Sequence, residues 1–426
     1  MIHRTALPIA AVAVVLAGCS SGPDPAEGQG RAPSSSSPSS SPSSGGAGDG
    51  HGEVAGAEEV AEPPLHLVSV DRGGAVGMVD LVDGTERDLG RVSAPVSSSS
   101  TDGRYLFLGT RDGLEVVDSG MWTWDHGDHF HYYRSAPDLL GSVPGPGVPR
   151  LAHGPLSTAG GTGVFFPRSG EAVLLDHEAL SDGELRERWR LDLGAHDGLV
   201  APLGDGAVVT VPDDSGEVSS VQRYDEDGEV VAGSEERCGD PRGSITTAVG
   251  LVVGCADGAL LWTGRDEEWV AERVAYPDAL DAPRADAFGA REGRPTVAAL
   301  AGDTGIWLLD TRERTWEILD ADVPLQQVAA ADDEDGHVLA LDRTGRVRVF
   351  LAGPGRQVAA TGRLLTPGPD GRASFDGVDL VVDDQRAYLN DPRGARVLEI
   401  DYADGARIAR ELPTPTEPHV YAEVGR

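Results

Sequence analysis

The chain has 426 residues, enough for one large domain or two ordinary ones with a sizeable apolar core. Its 70 acidic and 35 basic residues give a formal net charge of −35, and every basic residue is an arginine. This balance argues against nucleic acid and an anionic membrane surface as partners, because both would repel the chain. It suits a surface that concentrates cations; the alternative explanation of the charge is simple solubility.

The first 18 residues have the composition of an export signal. A weakly positive start at His3 and Arg4 precedes an apolar run over residues 7–16, which is too short to span a bilayer. The run ends in Leu-Ala-Gly-Cys at positions 16–19, which resembles the bacterial lipoprotein signal, in which the cysteine becomes the lipidated first residue. We therefore expect removal of residues 1–18 and anchoring of the chain to the cell membrane through Cys19. The alternative is a plain secretory signal with a chance cysteine.

Serine, proline, glycine and acidic residues dominate the next segment, residues 19–64. Such a segment cannot bury enough apolar surface to fold, so we expect a disordered linker that begins at the lipidated cysteine. The linker would act as a tether and let a globular domain over residues 65–426 stand away from the membrane.

Eight pairs of short apolar runs follow from residue 65 onward, and turns rich in glycine and aspartate join the members of each pair. The pairs cover residues 66–70 and 75–79, 105–108 and 114–117, 163–166 and 172–175, 207–211 and 219–224, 251–255 and 259–262, 297–300 and 306–309, 337–341 and 347–350, and 387–389 and 396–400. Hairpins that recur about every 40 to 50 residues match the blade period of a β-propeller. We therefore predict an all-β fold, a β-propeller of seven or eight blades; a stacked pair of β-sandwiches would space its hairpins less regularly.

Three histidines and one aspartate crowd into six residues with the pattern His-x-Asp-His-x-His: His126, Asp128, His129 and His131. Neutral imidazoles with one carboxylate are suitable ligands for tetrahedral Zn²⁺. An extended strand would place His129 and His131 on one face, and Gly127 allows the bend that brings the other two toward them. The pattern therefore predicts a zinc site; the alternative is a solvated polar turn beside an aromatic strand.

Two further histidines lie about ten residues before an apolar run, where the inner strand of a blade or the loop that leads into it is expected. His153 and His196 occupy this position in neighbouring repeats, so we expect both to face one mouth of the channel near the His126 loop and to join the metal site. The alternative for each is a packed histidine with satisfied ring nitrogens. His177 follows an outer strand and is expected to be solvated. We expect a structural role for the histidines at strand starts: His66, His337 and His419.

Two cysteines remain after the lipidated one, Cys238 and Cys255. Thiols tend to pair outside the cytoplasm, so we expect a disulfide that closes one internal loop. Two free buried thiols are the alternative.

Four segments together resemble the AztD family of extracytoplasmic zinc chaperones. They are Gly-Asp-His-Phe-His-Tyr-Tyr-Arg at 127–134, His-Gly at 153–154, His-Asp-Gly-Leu-Val at 196–200 and Val-Gly-Cys-Ala-Asp-Gly at 253–258. The resemblance implies a β-propeller with paired cysteines that passes Zn²⁺ by ligand exchange to the solute-binding protein of a zinc ABC transporter. It implies no chemistry on a substrate, hence no enzyme, and we expect a monomer. The expected zinc ligands are His126, Asp128, His129 and His131, with His153 and His196.

The chain departs from this family at one position. Where the family is expected to carry Leu-His-Gly-Glu, residues 240–244 read Asp-Pro-Arg-Gly-Ser. Arg242 cannot replace a histidine ligand, because a guanidinium carries its charge at any relevant pH and has no lone pair to offer. A channel site that used this histidine would be weakened or lost, whereas the cluster at 126–131 would remain.

Two other classes of function compete with zinc binding. A metal-free propeller could bind a protein or a glycan at the channel mouth through its aromatic side chains, namely Trp122, Trp124, Tyr132 and Tyr133. An enzyme is the third hypothesis, but the sequence contains no Gly-x-Ser-x-Gly elbow, His-Glu-x-x-His or phosphate-binding loop.

Overall fold

Aspartate side chains close many of the turns between strands, which accounts for part of the acidic composition. Asp342 Oδ1 accepts hydrogen bonds from the backbone N–H groups of Thr344, at 2.8 Å, and Arg346, at 3.1 Å. Asp225 holds the amides of the second and fourth residues after it in the same way. A carboxylate that binds two amides in this manner stabilises a tight turn and so helps to set the register of the hairpin.

The computed structural model describes residues 54, 56–125, 129–155, 157, 160–213, 215–265, 268–278 and 282–425. The chain divides into two compact units, Met1–Gly50 and His51–Arg426, and all described residues lie in the second. The predicted signal at residues 1–18, the lipidation site Cys19 and most of the predicted linker therefore lie outside the described residues. No helix within the described ranges is long and apolar enough to cross a membrane.

Nearly all regular structure in these ranges is β-strand. The strands are β1 (Glu58–Val60), β2 (His66–Val70), β3 (Ala75–Asp80), β4 (Glu86–Arg91), β5 (Val96–Thr101), β6 (Tyr105–Thr110), β7 (Gly113–Asp118), β8 (Met121–Asp125), β9 (Phe130–Arg134), β10 (Asp138–Pro144), β11 (Arg150–His153), β12 (Gly161–Phe166), β13 (Glu171–Asp176), β14 (Glu187–Asp192), β15 (Val200–Leu203), β16 (Gly206–Pro212), β17 (Val218–Tyr224), β18 (Glu236–Arg237), β19 (Ser244–Thr246), β20 (Leu251–Cys255), β21 (Gly258–Arg265), β22 (Glu268–Ala275), β23 (Thr296–Ala301), β24 (Gly305–Asp310), β25 (Thr315–Asp320), β26 (Leu325–Ala330), β27 (His337–Asp342), β28 (Val347–Leu351), β29 (Arg356–Ala360), β30 (Leu380–Val382), β31 (Ala387–Asp391), β32 (Arg396–Asp401), β33 (Arg407–Pro413) and β34 (Val420–Val424). Helix α1 (His177–Ser181) and a 3-10 turn at Pro392–Gly394 complete the described elements.

Eight of the nine sheets in the described chain are antiparallel blades. Their strand orders are β34-β2-β3-β4 (blade 1), β5-β6-β7-β10 (blade 2), β11-β12-β13-β14 (blade 3), β15-β16-β17-β18 (blade 4), β19-β20-β21-β22 (blade 5), β23-β24-β25 (blade 6), β26-β27-β28-β29 (blade 7) and β30-β31-β32-β33 (blade 8). In blade 6 the segment around Gly289 and Ala290 takes the place of an inner strand. It forms isolated bridges, from Gly289 to Ala298 of β23 and from Ala290 to Ala330 of β26 in blade 7.

Apolar side chains between successive blades close the ring. Eight clusters of buried residues occur in the described chain, and each bridges one pair of neighbouring blades. One of them packs Leu67 and Tyr421 of blade 1 against Tyr388 and Val397 of blade 8, so the first and last blades are also in contact. A fully buried large apolar side chain contributes about 1.5–3 kcal/mol, which makes these clusters the main source of stability.

The last strand of the chain completes the first blade. β34 pairs with β2 from Val70–Val420 to His66–Val424, so it supplies the inner strand of blade 1. The predicted β-propeller is confirmed, with eight blades. The eight predicted hairpins are found as β2–β3, β6–β7, β12–β13, β16–β17, β20–β21, β23–β24, β27–β28 and β31–β32.

The predicted disulfide is also confirmed. Cys238 and Cys255 are bonded, with their Cα atoms 5.1 Å apart. Both residues are fully buried in the apolar cluster between blades 4 and 5, so the bond joins the segment before β19 to the end of β20.

Two parallel bridges, Thr247–Gly293 and Ala290–Ala330, show that the inner segments of blades 5, 6 and 7 run in one direction along a central channel. The inner strands of the other blades share this direction, because the blades of a propeller repeat around its axis. The channel therefore has an amino mouth, where these strands begin, and a carboxyl mouth, where they end. Residues near the ends of the inner segments of six blades line one cavity of about 300 Å³, among them Ser100, His153, Thr246, Glu292, Val382 and Glu423.

One boundary predicted from composition is wrong. β1 lies within residues 19–64, which we expected to be disordered, yet it pairs with β9 in the ninth sheet. The amino-acid composition of a segment indicates how much apolar surface it can bury. β1 is held instead by backbone hydrogen bonds to the edge of another strand, which do not depend on composition. The last residues of the linker therefore belong to the folded body.

Candidate metal centre

A β-hairpin, β8 with β9, is inserted between the third and fourth strands of blade 2 and carries the predicted histidine cluster. Since β7 ends at the carboxyl mouth, the hairpin stands at that end of the channel. At its base the Ser135 N–H donates to the Gly120 carbonyl at 2.7 Å. Gly120 has a φ of +72°, and a Cβ there would lie 2.6 Å from the Ser135 carbonyl oxygen, so this position requires glycine.

The hairpin becomes a three-stranded sheet because β1 pairs with the free edge of β9. Directly opposite residues share a face, and here Glu59 and Trp122 both lie opposite Tyr133. One face carries a carboxylate and a row of rings: Glu59, Trp122, Trp124, His131 and Tyr133. The other face carries three side chains that line a cavity: Thr123, Phe130 and Tyr132.

A buried arginine fastens the hairpin to blade 2. The Arg104 guanidinium forms two hydrogen bonds with the Asp118 carboxylate, at 3.0 and 2.7 Å, and only 4% of the arginine side chain is exposed. The same guanidinium lies 4.0 Å from the centre of the Trp122 ring, which stacks on Tyr133. This cation–π contact connects the core of the blade to the sheet that carries the histidines.

His129 and His131 lie side by side on that sheet, as an extended strand requires. Their Nε2 atoms are 2.8 Å apart, and the rings meet edge to face with centroids 4.6 Å apart. His131 is 8% exposed, whereas His129 is on the surface. The other ring nitrogen of His131, Nδ1, lies 2.7 Å from Glu59 Oε1.

This pair is close to the geometry that a zinc ion needs. Two nitrogens bound to tetrahedral Zn²⁺ at about 2.0–2.1 Å are about 3.3 Å apart, so the Nε2 atoms would have to separate by about 0.5 Å. Rotation of the exposed His129 ring can supply that movement. The other predicted ligands, His126 and Asp128, lie outside the described residues. Within the described ranges no three His, Cys, Asp or Glu side chains are grouped so that they could hold a metal ion.

His153 lies in the channel wall with both ring nitrogens engaged. Its Nε2 is hydrogen-bonded to the Ser100 hydroxyl, and its Nδ1 lies 3.0 Å from Thr162 Oγ1. Burial, together with the nearby His177, lowers the pKa of His153 to about 3, so the ring is neutral at physiological pH. These contacts match the alternative of a packed histidine, and none of them reaches the hairpin.

Behind His153 lies a buried polar network that the sequence did not reveal. Thr162 Oγ1 is 2.8 Å from His177 Nε2, which is 3.7 Å from Asp102 Oδ2. The prediction of a solvated His177 is wrong, because this ring is fully buried and stacks against Phe107. Burial raises the pKa of Asp102 to about 6. The network therefore holds a carboxyl group that takes up a proton in mild acid, at a pH where an ordinary aspartate stays ionised.

An acidic vestibule connects the hairpin to the channel. A cavity of about 580 Å³ lies beside Phe130 and Tyr132, and it shares Asp102, Glu292 and Gly293 with the channel cavity. Further carboxylates on the walls belong to Asp383, Asp384 and Glu423. Arg291 also lines this cavity and pairs with Asp384 at 2.7 Å, so the walls carry an excess of negative charge rather than a single sign. Such an excess raises the local concentration of cations.

His196 does not share a mouth with His153, contrary to the prediction. It lies in the loop before β15, at the amino mouth, whereas His153 is the last residue of β11, at the carboxyl mouth. His196 Nδ1 is 2.7 Å from the Gly194 carbonyl oxygen and its Nε2 is 3.1 Å from Thr210 Oγ1. Similar positions in sequence gave opposite ends of the channel because one histidine ends an inner strand and the other precedes one.

Arg242 also lies at the amino mouth, just before β19. Its guanidinium is 3.2 Å from Asp240 and 3.9 Å from Asp286, and it is 42% exposed. The two carboxylates balance the positive charge of Arg242, the residue at the position where the family was expected to carry a histidine.

Reasoning from the sequence missed one side chain of the site, Glu59. It is separated from His131 by 72 positions and lies in a segment whose composition indicated a linker. The run Glu58–Val60 ends in a β-branched residue, but a three-residue strand carries too little pattern to be recognised.

No family model matches the chain. Among solved structures, AztD from Citrobacter koseri superposes with a TM-score of 0.71 at 20% identity, covering 85% of this chain and 98% of that one. The fold is of the AztD type. Apo AztD from the same organism gives the same TM-score over 84% of this chain and 97% of that one. Dihydro-heme d1 dehydrogenase NirN in complex with DHE is more distant, at a TM-score of 0.52 and 16% identity over 86% and 76% of the two chains.

Proposed function

We propose that the protein is a lipid-anchored extracytoplasmic chaperone that binds Zn²⁺ and hands it to the solute-binding protein of a zinc ABC transporter. The observation that carries this proposal is the pair of Nε2 atoms of His129 and His131, 2.8 Å apart at the tip of the hairpin. The AztD-type fold and the sequence around this pair support the same conclusion. His126 and Asp128, which adjoin the pair in sequence, are the proposed remaining ligands.

Transfer rather than storage suits the position of the pair. His129 is exposed and can leave the ion first, whereas His131 is buried and held by a second contact. Ligands that dissociate one at a time allow an incoming protein to replace them in turn. The acidic vestibule beside the hairpin would keep the ion near the surface during this exchange. The proposed role requires no reaction on a substrate.

His153 and His196 are left out of the proposed ligand set. The ring nitrogens of both residues are hydrogen-bonded within the propeller, and His196 lies at the other end of the channel. Zinc binding at either residue would require loss of these internal bonds.

Zinc titration against a fluorescent chelator tests the proposal. We expect the wild type to bind zinc and His129→Ala/His131→Ala to bind it at least about 100-fold more weakly, because loss of second-shell partners alone costs 10–100-fold. His196→Gln is the matched control and should bind like the wild type. Absence of zinc binding by the wild type, or equal affinity in the double variant, would overturn the proposal.

Handing over is tested separately. Zinc-loaded protein is mixed with a zinc-free solute-binding protein of a zinc ABC transporter, the two are separated, and the metal in each is measured in the presence of a competing chelator. If zinc reaches the solute-binding protein before the chelator can capture it, direct exchange is supported. If the chelator captures all of the zinc, direct exchange is contradicted.

A further inference from the structure

Within the part of the chain that the structure describes, a carboxylate from the end of the predicted linker contacts the histidine pair. β1 pairs with β9 in the register Glu58–Arg134, Glu59–Tyr133 and Val60–Tyr132. This register places Glu59 on the same face as His131, diagonally across from it. Glu59 Oε1 lies 2.7 Å from His131 Nδ1, while about half of the glutamate side chain is exposed.

This contact sets the proton arrangement of His131. A carboxylate accepts hydrogen bonds, so His131 Nδ1 is the donor in this contact. A histidine that binds zinc carries a single N–H, and in that form of His131 the proton therefore sits on Nδ1. Nε2 is then the acceptor, and it is Nε2 that faces His129 at 2.8 Å. Histidines that bind metals in proteins almost always donate their other ring N–H to a carboxylate, a carbonyl or water, which fixes the ring and raises its basicity.

We propose that Glu59 is a positioning residue for zinc binding at His131, and that β1 is therefore a working part of the site. This inference rests on the proposed function. Glu59 holds the ring in the tautomer and orientation that present Nε2 to the ion. Since β1 supplies this group, zinc binding and the docking of β1 on β9 reinforce each other, as linkage requires of any two coupled equilibria.

The neighbouring residue provides a matched control. Glu58 lies on the opposite face of the same strand and forms an exposed ion pair with Arg134 at 2.8 Å, away from the histidine rings. Glu58→Ala removes one carboxylate from β1 without touching His131. Any effect of general charge or of strand docking should therefore appear equally in Glu58→Ala and Glu59→Ala.

Zinc affinity gives the first measurement. We expect Glu59→Ala to weaken binding about 10- to 100-fold, in line with other second-shell carboxylates. Glu59→Gln should lose less, because its amide oxygen can still accept from Nδ1, and Glu58→Ala should match the wild type. Unchanged affinity in Glu59→Ala, or an equal loss in Glu58→Ala, would overturn the inference.

Nitrogen-15 NMR of the histidine rings in zinc-free protein gives a second, independent measurement. The wild type and Glu59→Gln should show His131 with its proton on Nδ1, whereas Glu59→Ala should show a mixture of tautomers. An unchanged His131 spectrum in Glu59→Ala contradicts the positioning role. If the wild type binds no zinc, the proposed function fails, and the zinc-free spectra still decide whether Glu59 sets the tautomer.

Discussion

Replacement of Arg104 by methionine should destabilise the propeller strongly and loosen the hairpin. The side chains of Arg104 and Asp118 are 4% and 7% exposed and share two hydrogen bonds. Removal of one partner of a buried pair leaves an uncompensated charge, which costs about 3–5 kcal/mol. Loss of the cation–π contact with Trp122, at 4.0 Å, adds about 1–2 kcal/mol. We therefore expect the free energy of unfolding to fall by roughly 4–7 kcal/mol.

Urea unfolding followed by tryptophan fluorescence measures this loss. Arg111→Met is the matched control, because Arg111 pairs with Asp112 at the surface, where the two side chains are 83% and 68% exposed. An exposed pair contributes about 0–1 kcal/mol, so the control should unfold almost like the wild type. Arg104→Met/Asp118→Leu should recover part of the loss, because it removes the stranded carboxylate. A loss below about 1 kcal/mol in Arg104→Met would refute the role assigned to this pair.

Two further predictions concern the disulfide and His153. The double variant Cys238→Ala/Cys255→Ala should lower the free energy of unfolding by about 3 kcal/mol, because the disulfide closes a loop with a sequence separation of 17. Urea unfolding measures this loss, and a value below about 1 kcal/mol would contradict the prediction. The pKa of His153 is depressed to about 3, so unfolded chains bind more protons than folded ones between that value and about 6.5, and wild-type stability should fall as the pH drops through this window. In His153→Gln this contribution to the loss of unfolding free energy, which is no more than about 5 kcal/mol, should be absent. If the unfolding free energies of the two proteins change with pH in parallel, His153 is not held neutral in the folded protein.

The fold was predictable because its signals are local. Each hairpin has apolar strands on both sides of an Asp or Gly turn, and Asp225 and Asp342 cap such turns through amides only two and four positions away. The pairing of Cys238 with Cys255 and the shared face of His129 and His131 also follow from nearby positions or from composition.

Contacts between distant positions were not predictable in this way. His153 and His196 look alike in sequence, but the direction of the inner strands puts them at opposite mouths of the channel. His177 follows a strand that was predicted to be an outer one, yet it is buried beside Thr162 and Asp102. Glu59 reaches His131 across 72 positions.

The amino-acid sequence alone determined that this chain forms a ring of repeated hairpins and that one loop is rich in histidine and aspartate, because hydrophobic periodicity and turn chemistry act over a few residues. Only the tertiary structure decided which histidines meet, which are satisfied elsewhere, and which carboxylate orients His131. Those outcomes depend on how the ring closes and on which strand pairs with an exposed edge, and no short window of sequence contains that information.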